Sequence, residues 1–165
     1  QIKHVSQLIG EHTRIFLYGF GSSGLAAQEF QLRLLRLGMD AEAITELHQM
    51  VLNEARITNA CLVIGISLSG ATRELIDALD RAKARGAAVI YLTSSNAERE
   101  KRTYEEIVLA PVKKNLEYGN VISPQFPILL ILDLIYAQLL KEDRRSTEAQ
   151  YDTHIWERIK DYHVG

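Results

Sequence analysis

Cysteine, tryptophan and proline are scarce: one, one and three residues in a chain of 165. A lone cysteine cannot close a disulfide within the chain, and Cys61, opening an apolar run, reads as a small buried hydrophobe. Net charge is also small. The 19 Lys and Arg against 21 Asp and Glu leave −2, which removes any global pull toward nucleic acid or acidic membranes. The longest apolar run, 128–140, is thirteen residues interrupted by Asp133, short of the roughly 18 to 20 residues that span a bilayer. His4, His12, His154 and His163 lie far apart without metal-ligand spacing, so no zinc site is expected. No basic segment followed by an apolar one opens the chain, and a cytoplasmic protein is the expectation. The chain begins on Gln1 rather than Met, from which we expect a preceding module.

What is present is an alternation of two hydrophobic periods. Ile2, Val5, Leu8 and Ile9 recur at helical spacing up to Gly10, and an apolar run over 14–18 follows. Leu25, Phe30, Leu34 and Leu37 mark a helix closed by Gly38, and residues 41–44 read as a short strand. Leu47, Val51, Leu52 and Ala55 predict a helix over 46–56. Residues 61–66 form a continuous apolar run, the pattern of a parallel strand covered on both faces. Leu75, Ile76, Leu79 and Ala82 predict a helix ending at Arg85-Gly86, with further strands at 87–93 and 107–109.

Strands alternating with helices in one chain of this length predict a single α/β domain with a mostly parallel sheet of four to five strands and right-handed crossovers. The stretch 112–123 lacks a period and reads as a loop, after which either Ser123-Pro124 or Pro127 starts a helix. That helix, apolar almost all round over 128–140, is expected to be buried on nearly every face, in the core or against another subunit. Its isolated Asp133 is expected to be a buried carboxylate met by backbone or serine donors. Charged residues 141–147 break the run, and Ile155, Ile159 and Tyr162 beside Trp156 predict a last amphipathic helix.

Two turns carry the chemistry. Gly19-Phe20-Gly21-Ser22-Ser23-Gly24 and Ser67-Leu68-Ser69-Gly70-Ala71-Thr72 each sit where a buried strand hands over to a helix, the place where α/β proteins bind anions. Hydrogen bonds to a charged partner contribute roughly 1.5 to 3 kcal/mol each, and a helix N-terminus about 0.3 to 1, so the two turns together suffice for a phosphate monoester. Neither turn holds the lysine of a P-loop. The first contains a literal G-x-G-x-x-G, and Asp40, 21 residues after Gly19, stands where a dinucleotide site places its ribose-binding acid. That reading leaves the second hydroxyl-rich turn without a use. The plain alternative is that both are strand-to-helix turns with Ser and Thr caps. Thr93, Ser94 and Ser95, ending another strand, either add hydroxyls to the same cleft or cap the next helix.

Ser67-Leu68-Ser69-Gly70-Ala71-Thr72-Arg73-Glu74 resembles the S-x-S-G-x-T-x-E signature of sugar isomerase (SIS) domains, and Gly19-Phe20-Gly21-Ser22-Ser23 resembles their first phosphosugar loop. Within that superfamily, Glu46-Leu47-His48 is similar to the acid-x-His element of RpiR-type transcriptional regulators, and Ser123 through Asp133 and Tyr136 to their S-S-R…I-D-x-L-Y helix. The second Ser and the Arg of that helix are Pro124 and Gln125 here.

The resemblance implies a flavodoxin-like, three-layer αβα sandwich that senses a sugar phosphate without catalysis and needs no cofactor. It places Gly21, Ser22, Ser23, Ser67, Ser69 and Thr72 on the phosphate, with His48 and Glu117 on the sugar. DNA is then read only by an N-terminal helix-turn-helix outside this chain, and the apolar 128–140 helix suits a homodimer. Aldose–ketose isomerases share the domain, so catalysis by Glu117 and His48 as base and acid is the rival.

Overall fold

The computed structural model describes residues 1–95, 103–110 and 125–146. The predicted loop 112–123, Glu117, Ser123-Pro124 and the last amphipathic helix lie outside the described residues. The elements run α1 (Ile2–Glu11), β1 (Arg14–Gly19), α2 (Gly21–Arg36), β2 (Ala41–Ile44), α3 (Leu47–Asn53) with a 3-10 turn (Glu54–Arg56), β3 (Cys61–Ser67), α4 (Arg73–Ala84), β4 (Ala88–Thr93), β5 (Glu106–Leu109) and α5 (Phe126–Ser146).

All five strands are parallel, in the order β2-β1-β3-β4-β5. Strand side chains alternate between two apolar layers. Ile15, Leu17, Leu62, Ile64, Ile66, Ile90 and Leu92 face α1, α2 and α5, whereas Phe16, Tyr18, Val63, Val89 and Tyr91 face α3 and α4. The parallel sheet is the one expected from the alternating periods, and the layered αβα arrangement the one the SIS resemblance implies. Strand order reverses between β1 and β3, and a crevice opens there at the carboxyl ends of the strands.

Gly65 in β3 lets α4 come close, because a Cβ at that position would overlap the Leu79 side chain. Asn53 Nδ2 donates to the Tyr18 hydroxyl at 2.8 Å, which anchors α3 to β1. Burial pushes the Tyr18 phenol up from its ordinary pKa.

Helix α5 is covered along one side within this chain, and its Asp133 differs from expectation. It buries one stripe, Ile128, Ile131, Leu132, Ile135 and Leu139, and leaves Phe126, Leu130 and Leu134 about half exposed. Asp133 is no buried carboxylate: its side chain is 53 % exposed and pairs with Arg33 of α2 at 2.6 Å, while the Arg33 guanidinium lies 5.5 Å from the Tyr136 ring centroid. The helix also continues through the charged residues to Ser146. Lys, Glu and Arg are good helix formers, so losing the apolar stripe does not end the helix. Among the described residues no helix is long and apolar enough to cross a membrane.

Candidate functional site

The second turn is tied together by its own hydroxyls. Ser67, the last residue of β3, lies 3.1 Å from Thr72 Oγ1 and 3.5 Å from Ser69 Oγ through its Oγ. The amide of Ala71 donates to Ser69 Oγ at 3.3 Å and that of Gly70 to the Ser67 carbonyl at 3.2 Å. Gly70 adopts φ +66°, and a Cβ there would stand 2.5 Å from Thr93 Oγ1, so the turn admits glycine only.

The end of β4 buttresses this turn. Ser94 donates both its amide, at 3.1 Å, and its hydroxyl to the Leu68 carbonyl, and Thr93 Oγ1 accepts from the Ser95 amide at 3.1 Å. Thr93 and Ser94 thus do a third thing beside the two expected of them: they shape the second turn.

The first turn lies alongside. Gly19 pairs with Ile66 across β1 and β3, and neighbouring strands are about 4.8 Å apart, so the two helix starts open on the same crevice. Gly21 has φ +54° with nothing within 4 Å of a built Cβ, Ser22 is exposed and Ser23 is buried. Gln125, just before α5 and 8 % exposed, donates through Nε2 to Ser22 Oγ at 3.0 Å and to Ser23 Oγ at 3.4 Å. Sequence reasoning noted Gln125 only as a departure from a family pattern, and nothing in its spacing shows that it reaches α2.

Neither helix is capped by a side chain. Phe20 stands at the N-cap of α2 and Thr72 at that of α4, and neither makes a side-chain cap hydrogen bond. The Thr72 hydroxyl is turned to Ser67 instead. The plain reading of both turns as Ser and Thr caps is thereby corrected. Two helix N-termini present their first amides to one crevice beside Ser22, Ser23, Ser67, Ser69 and Thr72, an arrangement whose chemistry is to receive an anion.

The dinucleotide reading also fails on geometry. Asp40 precedes β2 and pairs with Arg14, the first residue of β1, at 2.9 Å. It therefore sits at the amino end of the sheet, opposite the glycine turn, where it cannot meet a ribose bound at the carboxyl end. His48 is the second residue of α3, exposed, at the carboxyl end of β2, and no described contact joins it to either turn. Among the described residues no group of three His, Cys, Asp or Glu gathers to hold a metal.

A doubly wound parallel sheet with two hydroxyl-lined turns at its switch point defines a class of α/β domain with an anion-ready crevice. The profile of the SIS domain family matches residues 7–129, and the chain belongs to that family. It is 31 % identical over 141 residues to an uncharacterised HTH-type transcriptional regulator of Haemophilus influenzae, covering 86 % of this chain and 49 % of the regulator. The chain spans about half the length of the curated regulators it matches.

Solved structures that share the fold include an RpiR transcription factor domain and the NanR protein. The sugar isomerase domain of an RpiR transcription factor from Sphaerobacter thermophilus superposes with TM-score 0.76 at 22 % identity, over 87 % of this chain and 79 % of that one. The Vibrio vulnificus NanR protein complexed with ManNAc-6P gives TM-score 0.84 at 21 % identity, over 99 % of this chain and 61 % of NanR.

Proposed function

We propose that the chain is the phosphosugar-sensing effector domain of an RpiR-type transcriptional regulator of carbohydrate metabolism, working in the cytoplasm and binding its ligand without turnover. The observation that carries this reading is the pair of uncapped helix N-termini, with Ser22, Ser23, Ser67, Ser69 and Thr72 between them at the switch point. Support also comes from the kinship with HTH-type regulators and from the shared fold with NanR, whose solved complex holds a sugar phosphate.

In this reading the turns grip the phosphate, which is common to every candidate ligand. His48, at the same end of the sheet, and Glu117 meet the sugar and select it. DNA is read by a helix-turn-helix elsewhere in the longer protein, two copies of this domain pair through α5, and the ligand acts by binding one arrangement of the regulator more tightly than the other.

An isomerase reading competes because the fold is shared with a domain described as a sugar isomerase domain. Isomerisation needs a base and an acid aimed at adjacent carbons of one bound sugar. Incubation with hexose and N-acetylhexosamine 6-phosphates, followed by NMR, separates the two. Saturable binding with unchanged spectra is expected, and steady formation of an isomer overturns the sensor reading.

A further inference from the structure

Gln125 is one of the few buried polar residues among those described, and its side chain spans from the start of α5 to the start of α2. The amide NH2 offers only hydrogens. At 3.0 Å from Ser22 Oγ and 3.4 Å from Ser23 Oγ, it makes both serine oxygens acceptors on that side. Each serine then has its own hydrogen to direct elsewhere. Both belong to the first turn of a helix with no side-chain cap, Ser22 exposed and Ser23 buried, and these hydrogens can serve an acceptor seated at that helix start. An anion is such an acceptor.

We propose that Gln125 is a positioning residue of the phosphate cradle: it holds the Ser22 and Ser23 hydroxyls as donors toward a phosphate monoester, and it does so without bringing a charge into the site. This rests on the phosphosugar reading and deepens it. A carboxylate of the same size at position 125 accepts hydrogens instead of giving them. It turns the two hydroxyls inward and repels the ligand. An arginine keeps the donors and adds a cation, which exchanges a neutral cradle for one sensitive to salt.

The test is calorimetric titration of the wild type and three variants with inorganic phosphate, N-acetylmannosamine 6-phosphate and unphosphorylated N-acetylmannosamine. Circular dichroism melts check that each variant folds. Gln125→Met, which keeps the bulk without the donor, is expected to weaken both phosphorylated probes about tenfold, and Gln125→Glu about a hundredfold. Gln125→Arg should bind them at least as well as wild type at ~50 mM salt and lose about tenfold by ~500 mM, with a smaller loss in wild type. A residue that merely packs would tolerate Gln125→Met, which removes the donor, keeps the bulk and adds no charge. Folded Gln125→Met or Gln125→Glu protein binding both probes within about twofold of wild type overturns the proposal.

If Gln125→Glu fails to fold, the Met variant decides. Binding lost in Ser69→Ala but kept in Gln125→Met leaves the phosphosugar reading standing and removes only the role of Gln125. A wild type that binds neither phosphorylated probe overturns both.

Discussion

In the proposed cradle a phosphate oxygen at the end of β3 meets three hydroxyls within reach of one another, and no single one carries the site. Ser67 is buried and serves the other two as a hub, whereas Ser69 and Thr72 flank the mouth. Ser69→Ala and Thr72→Ala should each weaken every phosphorylated sugar by about tenfold, the scale of one hydrogen bond to a charged group, and leave their order unchanged. His48→Ala, away from the turns, should instead reorder the sugars. Thermal-shift titration over a panel of sugar phosphates reads both effects, and a uniform loss in His48→Ala would remove that residue from sugar selection.

A second residue gives the fold a pH dependence. Desolvation of Glu105 works against its charge, but its hydrogen bond with the Lys83 ammonium and the Val89 amide donating at 2.5 Å outweigh it, so its carboxyl sits below the ordinary range. A depressed carboxylate contributes stability that is present above the unfolded pKa, near 4.5, and is lost as pH falls through the folded one. Melting temperature should therefore drop below about pH 4.5, and more steeply in wild type than in Glu105→Gln. Parallel curves for the two proteins would sink the assignment.

At the scale of elements, what matters is how closely each helix start approaches its strand. A Cβ on Gly24 would stand 2.9 Å from the Gly19 carbonyl oxygen and 2.9 Å from Thr45 Cγ2, so α2 can begin where it does only with glycine there. Gly24→Ala should cost about 1 to 3 kcal/mol of stability and weaken phosphate binding too, since Ser22 and Ser23 move with the helix start. A melt lowered by several degrees with unchanged phosphate affinity would show that α2's position is immaterial to the cradle.

Elements were the most legible part of the sequence. Continuous apolar runs such as 61–66 and helical spacings such as Leu75, Ile76 and Leu79 are set locally and match β3 and α4. What was not legible depended on partners distant in sequence. Asp133 read as buried because its own helix is apolar, yet Arg33 of α2 draws it to the surface. Asp40 had the spacing of a ribose-binding acid, but spacing does not say which end of β2 it occupies. The residue types of the two turns could be read as a phosphate cradle, whereas the absence of caps and the reach of Gln125 are properties of three-dimensional placement.

Across the whole molecule, α5 joins the crevice to the outer surface. The residue before it, Gln125, lies against Ser22 and Ser23, and Phe126, Leu130 and Leu134, spaced four apart, form an exposed apolar stripe on the helix. Contiguous exposed apolar side chains of this kind mark an interaction surface, and a second copy of the chain is the occupant proposed above. Leu130→Asp with Leu134→Asp should yield a folded monomer by light scattering, because those side chains are 45 % and 49 % exposed and leave the core intact. Leu132→Asp, on the buried side at 2 % exposure, should instead unfold the chain. Wild type that is already monomeric at high concentration would dismiss the pairing. If the double variant is monomeric and still binds sugar phosphate as wild type does, the cradle is complete within one chain. Loss of binding on dissociation would show that the second copy completes it, and would make assembly itself part of how the ligand is sensed.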